Sequence, residues 1–276
     1  MGRVETRLYK QRKKRANRLR WMAALIVVGV AIVLLQGERA SFLMEQIGLS
    51  STLPRTDGFD KTAASREVTL GAETWYAIQT GVFSTKEAAM EKADAYTDRG
   101  APGTVVKQGE KWRVFIACYG TETEASAVRA RLESNQRVDT YLYAWSCPEV
   151  QLRLSGMAGQ LDAAEAGFTL LTTTATTLRD TAVELDAAQL TTQEAMNTMA
   201  TLDAQITLWE DTVKNRFGRD IPALFKDMMT ITAGWDARYT ALRAAGDATA
   251  LSAELKAQAM GLYDEICTWR SALLAQ

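Results

Sequence analysis

Residues 75–84 read WYAIQTGVFS and residues 111–120 read KWRVFIACYG. Both stretches are rich in aromatic and β-branched side chains, the composition of strands. At an offset of 36 positions they superimpose, Tyr76 on Trp112, Ile78 on Val114, Thr80 on Ile116 and Phe83 on Tyr119. Each is followed by a hydroxyl and, three residues on, a glutamate: Ser84 with Glu87, Thr121 with Glu124. That spacing marks a helix start, the hydroxyl accepting from an orphan amide while the carboxylate reaches back. Gly100 suits the left-handed position after the first helix, a strand continues over Thr104 to Lys107, and Gln108-Gly109-Glu110 turns into the second copy. Val138 to Trp145 supplies a last strand. The order βαββαβ predicts a four-stranded antiparallel sheet with two helices on one face and the other face free.

WYAIQTGVFSTKEAAMEKADAY and KWRVFIACYGTETEASAVRARL together resemble the SPOR (sporulation-related repeat) domain. That family's pattern is an aromatic strand with a Gln, then Gly-x-Phe, a helix with an alanine face, and a second strand of Arg-Val-x-Val-Gly-Pro-Phe type. The resemblance implies the same βαββαβ fold, binding to peptidoglycan glycan strands stripped of stem peptides, and gathering at division septa. The sequence departs from the pattern at Ala117-Cys118, where Gly-Pro is usual, and at Lys111, where some members have tryptophan.

Alternation along the strands assigns the faces. Ile78, Thr80, Val114, Ile116, Leu142 and Ala144 take the helix side. Ala77, Gln79, Gly81, Lys111, Arg113, Phe115, Tyr141, Tyr143 and Trp145 take the open side. Aromatic rings offer flat apolar surface to sugar C–H groups, and Gln and Arg donate to hydroxyls or to a lactyl carboxylate. Gln79, Arg113, Phe115, Tyr141, Tyr143 and Trp145 are therefore the candidate glycan-binding residues, the resemblance supporting Gln79 and Arg113 above the aromatics. The competing expectation is that this aromatic stripe packs on the region that follows. A four-stranded sheet with surface aromatics also suits single-stranded RNA. Residues 75–148, however, hold nine basic and nine acidic side chains, without the positive excess that phosphate binding requires, so no nucleic-acid partner is expected.

Outside this unit the charge is uneven. Residues 1–20 carry nine basic residues and one acid, a surplus hidden in the net charge of −1 over 276 residues. Residues 21–37, WMAALIVVGVAIVLLQG, are free of charge, and at about 1.5 Å rise per residue they approach the minimum that crosses a bilayer core of roughly 30 Å. No small-x-small cleavage site follows, so a retained single-pass membrane helix is expected, with the basic tail cytoplasmic and residues from about 40 onward outside the cell. Residues 38–74 read as a linker, mostly small and polar.

Beyond Pro148 the period turns helical over 150–276. Leu154, Met157, Leu161, Ala164, Phe168, Leu171, Ala175, Leu178, Ala182 and Leu185 keep a three-four spacing. A second set runs from Ala195 to Val213 after a Thr191-x-x-Glu194 cap, a third from Phe225 to Leu242, and a fourth from Leu251 to Leu273. The expectation is an all-α bundle of three or four helices. From Glu149 onward seventeen acidic residues face ten basic ones, and divisome or sporulation proteins are the candidate partners of these helices.

The chain has no histidine and three cysteines, Cys118, Cys147 and Cys267. Histidine-based catalysis and a four-ligand zinc site are excluded on that ground. No paired-carboxylate site stands out, so no catalytic residue, metal or cofactor is assigned. Cys118 and Cys147 end strands two spacings apart, about 9.6 Å, beyond disulfide reach, and free thiols are expected. The sequence as a whole reads as an α+β, membrane-anchored, non-enzymatic localising or scaffold protein in division or sporulation. Its rivals are a wall-remodelling enzyme and an adaptor whose sheet face binds no glycan.

Overall fold

The computed structural model describes residues 63–97, 100–136 and 138–275. Two sheets and seven helices alternate along it. Strand β1 (Ala63–Leu70) is followed by β2 (Glu73–Phe83), α1 (Lys86–Thr97), β3 (Thr104–Gln108), β4 (Lys111–Tyr119), α2 (Glu122–Gln136), β5 (Tyr141–Cys147) and β6 (Val150–Met157). Helices α3 (Ala158–Asp186), α4 (Thr192–Phe217), α5 (Ala223–Ala233), α6 (Trp235–Ala244) and α7 (Ala248–Leu274) complete the chain. The four-stranded sheet has the order β3-β4-β2-β5, all pairs antiparallel, so the expected βαββαβ unit is present.

Its helix-side core forms because one parity of each strand is apolar. Ile78 lies opposite Leu142 on β5, and both join Val114, Ile116 and Tyr119 in one cluster. Ala89 and Ala93 of α1 and Ala125 of α2 enter the same cluster. Their short side chains let both helix axes approach the sheet closely.

The helix starts refine the repeat. α1 is capped by Thr85, whose hydroxyl accepts from the Ala88 amide at 3.3 Å; the expected Ser84 cap is displaced by one residue. Ser84 instead accepts from the Lys111 ammonium. Thr121 caps α2 as expected, accepting from the Glu124 amide at 3.3 Å. Thr85 and Thr121 are 36 positions apart, so caps and strands share one offset.

Gly81 corrects the face assignment. The β2–β4 register shifts around Gln79, and Gly81 comes opposite Val114, on the helix side. A side chain there would meet the Phe83 ring, with a Cβ only 2.6 Å from it. Thr80 occupies the irregularity, its hydroxyl donating to the Val114 carbonyl at 3.4 Å. Inserting one residue inverts the alternation beyond it, which a strict period of two cannot register.

Two segments differ from expectation more widely. Residues 63–70, assigned to linker, and 150–157, assigned to the first bundle helix, pair as the antiparallel ribbon β1–β6. Leu70 faces Val150, Val68 faces Leu152 and Arg66 faces Leu154. Leu152 and Leu154 obey a period of two, but Leu154 and Met157 also satisfy a helical step. β1 concealed itself because Arg66 stands at an inward position, where its guanidinium bonds Asp162 at 2.7 Å and Glu165 at 3.2 Å on α3. The helical part has five helices in place of three or four, since Gly234 interrupts the expected third one between α5 and α6.

The expected membrane segment 21–37 lies outside the described residues. Among the described residues no helix is long and apolar enough to cross a membrane.

Candidate functional site

The second face of the sheet is not free. α7 packs across β3, β4 and β5 on that side, with α3 antiparallel against it. At one end of that helix pair Arg270 donates to the Thr172 hydroxyl, and at the other Ser252 and Lys256 bond the Asp186 carboxylate. The sequence expectation of an open face is therefore corrected. An uncovered sheet surface of three large aromatics would leave a contiguous apolar patch in water, and α7 removes most of it.

The six candidate residues do share this face, and α7 divides them. Gln79 lies opposite both Phe115 and Tyr141, and Trp75 opposite Trp145. Phe115 and Trp145 are 0% and 2% exposed, and Gln79 only 7%. Tyr141 is 61% exposed, and Arg113 and Tyr143 are half-buried. The accessible end of the face is thus Arg113, Tyr141 and Tyr143, while the other end is an interior.

The accessible end is ordered by one hydrogen bond and one stack. Arg113 Nη1 donates to Gln79 Oε1 at 2.6 Å. The guanidinium lies over the Tyr143 ring at 4.5 Å, a contact that Arg makes with its flat face. Both are possible because Gln79 lies opposite Phe115, which shares its side of β4 with Arg113. From Tyr143 the aromatic contacts continue inward, to Phe115 at 5.5 Å, on to Trp145 at 5.2 Å and then to Tyr263 of α7 at 5.3 Å. Tyr263 also stacks on Trp75, and the Arg179 guanidinium of α3 closes the row 4.6 Å above Trp75. Burial, with nearby thiol and carboxylate groups, pushes the Tyr263 hydroxyl far above the usual phenol range, so it stays protonated and can donate to the backbone.

Trp75, Arg179 and Tyr263 were not among the sequence candidates. Trp75 shares parity with Gln79 and could have been found by that rule. α7 carries a second stripe, Ser252, Lys256, Ala259, Tyr263, Cys267 and Arg270, beside the leucine seam. Its three-four spacing was a usable signal, masked by its polar content.

The fold and face define a small α+β binding module covered on one side by a helix of its own chain. Residues 72–143 match the family model of the SPOR domain. The SPOR domain is a peptidoglycan-binding domain linked to cell division, a binding rather than a catalytic module. Gln79, Arg113, Phe115, Tyr141 and Tyr143 fall inside the matched stretch and Trp145 outside it. No curated protein and no solved structure matches the chain.

Proposed function

We propose that the protein binds peptidoglycan glycan strands, preferentially those stripped of stem peptides, through the uncovered end of its SPOR domain, and that it serves cell division as a localising or scaffold protein. The observation that carries this reading is the fixed Gln79–Arg113–Tyr143 cluster beside exposed Tyr141, all within the SPOR match. A guanidinium already oriented by Gln79 and Tyr143 loses little freedom on meeting a carboxylate or hydroxyl. Tyr141 adds an exposed ring for a sugar face.

Residues 21–37 serve as the single membrane anchor in this reading. The basic tail is cytoplasmic and the described residues are outside, at the cell envelope and its division septum. The helices α3 to α7 then present an acidic surface to divisome proteins.

A second reading is an adaptor that binds proteins and no glycan. It is favoured by the burial of Phe115, Trp145 and Gln79 under α7. Pull-down of the full chain on wall sacculi, before and after amidase treatment, separates the two. The glycan reading expects binding that rises after treatment and falls in Arg113→Ala; absence of binding in both states leaves the adaptor.

A further inference from the structure

Cys147 ends β5 and Cys267 lies in α7, 120 positions later. Read along the chain they are unrelated, yet docking of α7 places the Cys267 thiol beside the Cys147 sulfur, both as free thiols. We propose that Cys147 and Cys267 form a disulfide that fastens α7 to the last strand of the sheet.

The contact is held from both sides. One turn before Cys267, the Tyr263 hydroxyl reaches the carbonyls of Glu73 and Trp145, each at 3.0 Å. Glu73 is the residue opposite Cys147 in the β2–β5 register. One turn after Cys267, Arg270 Nη1 donates to the Gly71 carbonyl at 2.9 Å. The two backbones are thereby pinned on either side of the pair.

The chemistry around the pair favours a thiolate on Cys147. Arg270 is 4% exposed and, among the described residues, forms no ion pair with a carboxylate. It is a second hydrogen-bond partner of the Cys147 sulfur. A buried guanidinium gains from an anion beside it. With both cysteines reduced, the Cys267 thiol, followed by the Arg270 charge, holds the Cys147 thiol below its ordinary value; once Cys267 has lost its proton to the oxidant, the Arg270 charge still acts on Cys147. Cys118, by contrast, is pushed up to about 12 by burial and is inert.

The oxidant is a disulfide compound, acting by exchange. Both thiols are buried once α7 is docked, so the first step precedes docking. Cys267 sulfur bonds one oxidant sulfur, the oxidant S–S bond breaks, and the Cys267 proton leaves with the departing thiolate. As α7 docks, the Cys147 sulfur attacks the Cys267 sulfur, the mixed bond breaks, and the second oxidant sulfur leaves as a thiolate that takes up the proton Cys147 gives up. Two cysteines are oxidised and one disulfide is reduced to two thiols. In the cell such an oxidant belongs to the compartment outside the membrane, which rests on the placement proposed above. The test in solution does not, so its failure is separable from failure of the glycan reading.

The full chain is refolded with oxidised glutathione, its remaining thiols are alkylated in denaturant, and its peptides are mapped without reduction. The expected result is a cross-linked peptide pair joining Cys147 to Cys267, with Cys118 alone alkylated. Reduction then lowers the unfolding midpoint by on the order of 10 °C, as closing so long a loop implies. Cys118→Ala keeps this shift and Cys147→Ser loses it. Three alkylated cysteines after oxidation, a bridge that includes Cys118, or a shift that survives Cys147→Ser would each overturn the proposal.

Discussion

The Tyr263 ring lies flat on the Trp75 indole, centroids 4.0 Å apart and planes within 5° of parallel, while its hydroxyl bonds the backbone of two different strands. One side chain of α7 thereby recognises both β2 and β5. Tyr263→Phe keeps the stack and leaves the Glu73 and Trp145 carbonyls short of a donor, at a cost of about 1–3 kcal/mol. Tyr263→Ala also removes the ring and costs about 3–5 kcal/mol. Urea unfolding of both variants checks the order, and a loss in Tyr263→Phe as large as in Tyr263→Ala would contradict it.

Tyr141 and Phe115 share a face and differ in burial, so their roles separate by measurement. Tyr141→Ala is expected to change stability by no more than about 0.5 kcal/mol and to weaken sacculus binding by about threefold to tenfold, the worth of one aromatic contact. Phe115→Ala is expected to cost about 3–5 kcal/mol of stability. Denaturation midpoints set beside sedimentation with sacculi distinguish them.

The Gln79–Arg113 bond makes these two positions interdependent. Arg113→Ala alone strands the Gln79 oxygen in a buried site, costing about 1–3 kcal/mol. Adding Gln79→Ala is expected to recover part of that cost, giving a coupling of about 0.5–3 kcal/mol in a double-mutant cycle. The double variant stays folded and loses focal localisation in cells. Strictly additive effects, or unchanged localisation, would count against the site.

Asp264 provides a pH dependence. Burial, with Glu265 beside it, pushes its carboxyl up to about 6. The folded chain then holds a proton that the unfolded chain releases over roughly pH 4 to 6. This contribution is present in full below the unfolded value and is lost as pH rises through 6. Asp264→Asn is expected to be more stable than the parent by about 1–3 kcal/mol at pH 7 and no different below about pH 4. Unfolding curves across that range read the difference directly.

Much of the four-stranded unit was legible because its signals are local. Strand composition, caps and the turn at Gly109 act within a few residues, and the β2–β4 repeat doubles each signal. The shared face of Gln79, Arg113, Phe115 and the β5 aromatics followed from alternation alone. Gly81 escaped because a bulge reverses parity, and β1 escaped because Arg66, an inward residue, is polar. Gly167 on α3 makes room for Trp209: a Cβ there would sit 2.6 Å from the indole, which donates to the Ala163 carbonyl at 2.9 Å. No local pattern names the partner of a glycine.

The sequence by itself determined the order of elements within the four-stranded unit, its helix-side core, the absence of histidine chemistry and the face that the candidate residues share. These depend on periodicity and side-chain type, which neighbouring residues fix. Only the tertiary structure decided how much of that face remains accessible, that Tyr263 completes the aromatic row, and that Cys147 meets Cys267. Those contacts join residues more than a hundred positions apart, and they exist because an apolar sheet face exposed to water draws the nearest complementary helix of its own chain onto itself.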